Sequence, residues 1–309
     1  MTKPDNLVAD WSYLHDLEWC PRLFQYRHEL GYRPNEPSWR MITGSAVHAG
    51  LRVLYTKGFE AVAEAMEAAR AVWNGVPFPG PTSDWGFMGP GHSAVVVQNY
   101  AEDRKADPWE VINLADHGIV VERPVVSDAL GYGGIPDLAV EIEGLYYIVD
   151  HKSTAEWVTT WWAAKHRISH QFKGYALLLQ GRLGVQFSGA ILNGVYMGAK
   201  AGEPISAWAK RTSVRSGWFG PFTFDQSLLA ETEEWVRQRK AEIQWRREAQ
   251  SWPQHTYDCG SCEFLQVCER PPVARAALLR KNFVVRERYG VLASGADADH
   301  AKHTEVQNG

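Results

Sequence analysis

Residues 131–153, GYGGIPDLAVEIEGLYYIVDHKS, constrain the fold more than any other stretch of this sequence. They predict two short strands joined by a tight turn at Glu143 and Gly144. Side chains alternate between the two faces of a strand, so Asp150 and Lys152 point to one face and His151 points to the other. A carboxylate and an ammonium group therefore lie side by side at the end of an otherwise apolar strand.

The preceding strand begins at GIPD, whose Asp137 brings a second carboxylate close to Asp150. Two neighbouring carboxylates repel each other unless they bind a cation or share a proton. A hard divalent ion with oxygen ligands is the simplest explanation for the pair. Lys152 is then placed to orient a water molecule beside that ion, or to help deprotonate it.

Composition sets only broad limits. The 309 residues suffice for one large domain or two modest ones, and 45% hydrophobic and 22% charged residues are ordinary for a globular protein. The net charge of -4 carries no nucleic-acid signature but does not exclude nucleic-acid binding, since local patches matter more. No apolar run approaches a membrane span and the first ten residues resemble no signal peptide, so we expect a cytoplasmic protein without membrane contact. Of the 14 Trp, most belong in the core and a few are candidates for stacking on bases.

Periodicity and turn signals place helices and further strands around this hairpin. The predicted helices cover residues 11–30 (capped by Ser12 and interrupted at Pro21), 44–55, 59–73, 93–105, 168–180 and 226–250 (capped by Asp225). The predicted further strands cover residues 118–127, 187–197 and 220–224. Residues 74–92 are predicted to be loop, and the polar tail at 291–309 to be disordered.

The four cysteines carry a second signal. Cys259, Cys262 and Cys268 form a C-x2-C-x5-C pattern, and Cys20 lies near the other end of the chain. A cytosolic protein rarely uses all its cysteines in disulfides, and four thiolates suit either Zn or an iron–sulfur cluster. The spacing alone leaves these two about even, although Zn sites more often use two C-x2-C pairs.

Together the motifs resemble the RecB-like branch of the PD-(D/E)XK nucleases in its iron–sulfur form, which includes the AddB-type nuclease domains and the CRISPR-associated iron–sulfur exonucleases. The resemblance extends from Cys20 to Cys268. It rests on five motifs in the family's order: Cys20-Pro-Arg with the C-terminal cysteines, Gly44-x3-His48, Gly134-Ile-Pro-Asp137, Asp150-His-Lys152 and Gln171-x3-Tyr175.

The resemblance implies a mixed α/β fold of the restriction-endonuclease-like type, with a central sheet flanked by helices. It implies one nuclease domain over residues 1–290, with its core at about 40–225 and a helical iron–sulfur part at about 11–40 and 226–290. The implied ligands of Mg²⁺ or Mn²⁺ are His48, Asp137, Asp150 and the backbone carbonyl of His151. Lys152 would position the attacking water, and Gln171 and Tyr175 would shape the site and touch the DNA backbone.

The resemblance also implies a 4Fe–4S cluster held by the four cysteines, which we interpret as structural rather than redox-active. The expected activity is hydrolysis of DNA by an exonuclease acting on single strands or ends. Two alternatives stay open: a DNA-end processing subunit that needs a partner, as in recombination or CRISPR spacer acquisition, and a non-catalytic DNA-binding module. The sequence has no G-x-x-x-x-G-K-[ST] phosphate loop, so a helicase would be a separate chain, as would a recombinase or CRISPR integration partner.

One residue near the site is harder to place. Glu122 lies on the predicted strand before Asp137. It could join the site, but a surface charge is the stronger expectation. The ring of His151 is likewise not counted as a ligand, because strand geometry directs it away from Asp150.

Overall fold

The computed structural model describes residues 8–35, 38–76, 89–104, 110–111, 113–114, 118–198, 216–256 and 259–286. These residues form two compact units. The smaller unit contains the described residues up to 35, residues 126–134 and those from 230 onward; the larger contains residues 38–125 and 135–229. A single nuclease domain over residues 1–290 stays a prediction. The tail and most of the loop predicted at 74–92 lie outside the described residues.

Helices and strands alternate irregularly along the chain. The helices are α1 (Trp11–Trp19), α2 (Pro21–Phe24), α3 (Trp39–Lys57), α4 (Val62–Ala71), α5 (Pro90–Asp103), α6 (Thr160–Ala164), α7 (His170–Leu183), α8 (Gln226–Ala249), α9 (Leu265–Cys268) and α10 (Pro272–Asn282). The strands are β1 (Tyr32–Pro34), β2 (Glu110–Val111), β3 (Asn113–Leu114), β4 (Gly118–Ile119), β5 (Val125–Ser127), β6 (Tyr132–Gly134), β7 (Leu138–Ile142), β8 (Leu145–Thr154), β9 (Phe187–Tyr196), β10 (Ser216–Thr223) and β11 (Phe283–Val285). None of the described helices is both long and apolar enough to cross a membrane.

The larger unit is built on a five-stranded sheet in the order β10-β9-β8-β7-β2. Strands β8 and β9 pair in parallel, and the other neighbours are antiparallel, so the predicted mixed sheet is confirmed. Glu143 and Gly144 both have positive φ, at 52° and 78°, as the predicted tight turn between β7 and β8 requires. This turn fixes the register that pairs Leu138 with Val149.

The main hydrophobic core of this unit lies between the sheet and helices α3, α4 and α5. Leu51 and Leu54 of α3 and Val97 of α5 meet Leu138 and Val149 of the sheet, and all five are almost fully buried. At about 25 cal/mol per Å² of apolar surface, this burial is the main source of stability that holds α3 against β8.

Several predicted boundaries are corrected by the structure. The predicted helix 11–30 is three pieces, α1, α2 and a π-helical turn at Gln25–Glu29, because Pro21 cannot donate the hydrogen bond that would continue α1. Its N-cap is Asp10 rather than Ser12, since Asp10 Oδ1 accepts from Tyr13 N at 2.7 Å. Helix α3 begins at Trp39, five residues before the predicted start at Gly44.

Two further corrections concern proline and an unusual backbone angle. Helix α5 begins at Pro90 rather than Ser93, because proline fits the first helical turn, where its missing N–H is not needed. The strand predicted at 118–127 is broken into β4 and β5 around Glu122, whose φ of 45° is incompatible with a continuous strand.

The smaller unit packs the two ends of its sequence together. Strand β1 pairs antiparallel with β11, and Arg22 Nε donates to Trp252 O at 3.2 Å. Arg27 contacts Asp16 at 2.8 Å and Glu263 at 2.9 Å, and His28 Nε2 lies 2.6 Å from Asp16 Oδ2. These largely part-buried contacts connect the N-terminal helices to the loop that carries the C-terminal cysteines.

Candidate active site

Strand β8 brings Asp150 and Lys152 to one face of the sheet, as the alternation predicts. Asp150 is only 1% exposed, and its Oδ2 lies 2.6 Å from Lys152 Nζ. Burial raises the pKa of Asp150 to about 6, and the charge of Lys152 opposes that rise. A buried carboxylate whose pKa stays raised despite a neighbouring ammonium group is a group poised to take a stronger cation.

Asp137 lies beside this pair. The β7–β8 register places the residue before Leu138 next to the residue after Val149, which is Asp150. Asp137 Oδ2 accepts a hydrogen bond from the backbone N–H of His151 at 2.7 Å. Burial favours the neutral acid, but the charge and hydrogen bond of His48 outweigh it and hold the pKa of Asp137 well below its usual range.

His48 reaches the same place from α3. Its Nδ1 lies 3.5 Å from Asp137 Oδ1 and 3.4 Å from Glu122 Oε1. Burial disfavours the charged ring, but the two carboxylates outweigh burial and raise the pKa of His48 to about 10. Without a metal ion, the ring is therefore a cation that neutralises the carboxylates around it.

The expectation that Glu122 is a surface charge is wrong. Its side chain is 11% exposed, and its backbone lies against the start of β7: Val121 bridges to Leu138, and Glu122 N–H donates to Asp137 O at 3.0 Å. The unusual φ of Glu122 turns this residue out of the strand beside Asp137. The only sign in the sequence that Glu122 belongs to the site was its position as an acidic residue shortly before the GIPD motif.

Among the described residues, one group of His, Cys, Asp or Glu side chains has all its ligand atoms within 4.8 Å of one another: His48, Glu122 and Asp137. Asp150 does not belong to that group, but it lies close enough for the charge of Asp137 to raise its pKa. One imidazole nitrogen and carboxylate oxygens suit a divalent ion, so the donor set fits the expected metal. Glu122 joins His48 and Asp137 as a candidate ligand.

Helix α7 extends the site through a chain of hydrogen bonds. Lys152 Nζ donates to Gln171 Oε1 at 3.0 Å, and Gln171 Nε2 donates to Tyr175 Oη at 3.1 Å. Asp150, Lys152, Gln171 and Tyr175 thus form one connected row. The four-residue spacing puts Gln171 and Tyr175 on one side of the helix, which is why both reach the row.

The ring of His151 points to the opposite face, as expected. It is 4% exposed, stacks on Tyr55 with ring centroids 5.5 Å apart, and its Nδ1 lies 2.7 Å from Asn193 Nδ2. Burial lowers the pKa of His151 to about 3, so this imidazole is neutral and belongs to the core.

Gly44 permits the close approach of α3 and β8. A Cβ at this position would lie 2.9 Å from Ser153 Oγ, which is closer than normal packing allows. Because His48 lies one helical turn further along α3, the approach at Gly44 determines how near His48 comes to the carboxylates.

The cysteines lie in the smaller unit. Cys20, Cys262 and Cys268 pack against one hydrophobic cluster that includes Phe264, and none of the four cysteines forms a disulfide. Cys259 lies nearby, since the backbone N–H of His255 donates to Cys20 Sγ at 3.4 Å and Cys259 Sγ donates to the His255 carbonyl at 3.5 Å.

The chemistry of these thiols fits a metal centre. Burial raises the pKa of Cys262, and the nearby Cys20 raises it further; burial also raises the pKa of Cys268. Thiols in this setting become thiolates when a metal binds them. The four sulfurs form no group within 4.8 Å of one another in the described chain.

A mixed sheet that carries a hard-metal donor set, with a lysine fixed beside a buried carboxylate, is suited to the metal-assisted hydrolysis of phosphate esters. The model of the PD-(D/E)XK nuclease superfamily matches residues 11–269 of this chain, and the chain belongs to that superfamily. The match implies a metal-dependent nuclease. The search among curated proteins found no match.

Proposed function

We propose that this protein is a Mg²⁺- or Mn²⁺-dependent exonuclease that hydrolyses DNA at single strands or ends. The observation that carries the proposal is the continuity of the site: the donor set of His48, Glu122 and Asp137 adjoins the row that runs from Asp150 through Lys152 to Gln171. The candidate metal ligand Asp150 and the hydrogen-bond donor Lys152 are therefore in direct contact.

Each side chain has a role in this proposal. A divalent ion held by His48, Glu122, Asp137 and Asp150 would polarise the phosphate and make the attacking water more acidic. Lys152, held between Asp150 and Gln171, donates to that water and orients it. The backbone carbonyl of His151 is a further candidate ligand.

Gln171 and Tyr175 act at the outer end of the row. Gln171 uses its amide oxygen to hold Lys152 and its amide nitrogen to contact Tyr175, so the lysine ammonium keeps one orientation. This restraint supports near-attack geometry, because a misplaced donor loses much of its catalytic effect. Tyr175 is 8% exposed, and we assign it to shaping the site and touching the DNA backbone.

The proposal is tested with anaerobically purified protein and end-labelled single- and double-stranded DNA. Mn²⁺, Mg²⁺ or EDTA is added, and Asp150→Ala is assayed in parallel. Metal-dependent shortening of the label in the wild type alone supports a nuclease, and the product ladder distinguishes exonuclease from endonuclease action. If both proteins bind DNA without cleaving it, the isolated chain is not a nuclease, and the partner-dependent or non-catalytic alternatives replace the proposal.

We further propose that Cys20, Cys259, Cys262 and Cys268 hold a 4Fe–4S cluster, as in the iron–sulfur, RecB-like branch of the superfamily. The support for a cluster over zinc is the resemblance to that branch together with the single C-x2-C pair, since Zn sites more often use two such pairs. Metal analysis should find on the order of four iron atoms per chain and little zinc, with a broad visible absorbance that Cys262→Ser removes; one tightly bound zinc would refute the cluster.

A further inference from the structure

The segment between β8 and α7 carries an unusual set of exposed apolar side chains. Trp157 is 64% exposed, Trp161 is 73% exposed and Ile168 is 80% exposed. Trp157 and Trp161 are more exposed than the two other exposed tryptophans of the described chain, Trp19 at 38% and Trp245 at 55%. Large apolar groups that stay in water on one short segment indicate a binding surface.

The indole rings are held in fixed positions rather than left free. Trp157 stacks on Tyr196 with ring centroids 4.7 Å apart and planes inclined by 9°, which leaves its other face open. Lys165 Nζ lies 4.9 Å from the centroid of the Trp161 ring and 2.9 Å from Glu156 Oε2. Flat rings fixed before binding lose little entropy when a second flat ring stacks on them.

This surface lies on the same side of the sheet as the candidate active site. Tyr196 pairs with Thr154, and Gly194 pairs with Lys152. Thr154 is two residues beyond Lys152 on β8, so both side chains face the same way, about 7 Å apart along the strand. The ring stacked on Tyr196 therefore lies beyond Lys152 on the same side of the sheet.

His166 gives a second connection between the segment and the site. Its ring packs against Trp162 with centroids 5.1 Å apart, and Trp162 is buried against Gly194. Burial and, next, the charge of Lys152 lower the pKa of His166 to about 4, which places the imidazole within the field of that lysine.

The charge of the segment indicates the kind of partner. Lys165 and Arg167 are exposed on the same segment as the two indoles, and Glu156, the acidic residue of residues 155–168, is paired to Lys165. Aromatic faces interleaved with cations are typical of surfaces that bind single-stranded nucleic acid, where the rings stack on bases and the cations contact phosphates. A duplex does not offer its base faces to such a surface.

We propose that Trp157 and Trp161 form a stacking platform, the Trp157–Trp161 platform, that binds the unpaired bases of single-stranded nucleic acid and leads the strand to Lys152. The proposal rests on the proposed function, since it names the substrate class of that site. It makes the preference for single strands a property of residues 155–168 rather than of the metal ligands.

The test measures binding in EDTA, so that it does not depend on cleavage. Three fluorescent probes of equal length are used: an oligothymidylate, the same backbone without bases, and a blunt duplex. Trp157→Ala and Trp161→Ala should each weaken oligothymidylate binding on the order of tenfold and leave the base-free and duplex probes nearly unchanged. Trp157→Phe and Trp161→Phe should restore most of the affinity, because phenyl rings also stack.

Trp245→Ala, at an exposed tryptophan on α8, is the matched control and should bind all three probes like the wild type. Thermal unfolding of each variant confirms that the fold is kept. Unchanged oligothymidylate binding by the alanine variants, as for a protein-docking surface, would overturn the platform. So would an equal loss on all three probes. A wild type that binds through the platform but never cleaves would refute the proposed nuclease and leave the platform standing.

Discussion

At the scale of single residues, the account depends on which side chains hold the metal. His48 and Asp137 carry sequence signals, whereas Glu122 reaches the site through a backbone turn with φ of 45°. Because the three ligand atoms lie within 4.8 Å of one another, removing any one of them should lower the affinity of the site for the metal.

Glu122→Gln should therefore weaken Mn²⁺ binding about tenfold or more, since it replaces a charged oxygen ligand by a neutral one. Isothermal titration calorimetry without DNA measures this directly. Glu141→Gln is the matched control, because Glu141 is an exposed residue of β7. Equal affinities of Glu122→Gln and the wild type would remove Glu122 from the site.

Metal binding should also release protons. His48, with its pKa raised to about 10, is protonated at pH 7.5 in the metal-free protein, and a ligating imidazole must be neutral. Affinity should rise with pH, with about one proton released per ion near pH 7.5, and should fall more steeply below about pH 6 as Asp150 also becomes protonated. Calorimetry in buffers of different ionisation enthalpy counts the protons; a pH-independent affinity between pH 6 and 8 would contradict this account of His48.

At the scale of elements, the position of α3 controls the site. Gly50 lies where α3 crosses α5, and a Cβ there would overlap Val97 Cγ2 and lie 3.1 Å from the Ala65 carbonyl oxygen. The absence of a side chain at Gly50 lets these helices pack closely.

Gly50→Ala should reduce the free energy of unfolding by about 1–3 kcal/mol, because the added methyl overpacks a filled core. Gly181→Ala, in α7 with open space around it, should instead stabilise the protein by up to about 1 kcal/mol through helix propensity. Urea unfolding compares the two variants. A stabilising Gly50→Ala would show that α3 and α5 are packed more loosely than described.

In the smaller unit, Arg27 joins the N-terminal helices to the cysteine loop through Asp16 and Glu263. Arg27→Gln should cost about 2 kcal/mol of stability, less than a fully buried pair because the Arg27 side chain is 29% exposed. Arg237→Gln, which removes an exposed pair with Glu233 on α8, should change stability by no more than about 0.5 kcal/mol. Thermal unfolding of both variants compares the two losses of stability. Equal losses would show that the contacts of Arg27 stabilise the protein no more than an exposed ion pair does.

At the scale of the whole molecule, the parts that the sequence predicted are those encoded locally. The β7–β8 hairpin follows from strand alternation and the Glu143–Gly144 turn, and with it come the common face of Asp150 and Lys152 and the opposite face of His151. The four-residue spacing likewise placed Gln171 beside Tyr175.

What the sequence did not show depends on contacts between distant segments. Glu122 enters the site because its neighbour Val121 bridges to Leu138, and no local pattern encodes that bridge. The early start of α3 at Trp39 was missed because the five residues before Gly44 are too few to show a helical period on their own, although tertiary packing makes them helical. The start of α5 at Pro90 was missed because proline was taken only as a loop signal.

The central claim is that one site binds a divalent ion and, through Lys152, uses it for cleavage. The most direct test compares Lys152→Met with Asp137→Asn in Mn²⁺ calorimetry and single-turnover cleavage of end-labelled single-stranded DNA. Lys152→Met should bind Mn²⁺ at least as tightly as the wild type, since a nearby positive charge is gone, yet cleave about 100-fold or more slowly. Asp137→Asn should lose both metal binding and cleavage. Wild-type cleavage by Lys152→Met, or tight metal binding and cleavage by Asp137→Asn, would contradict the account.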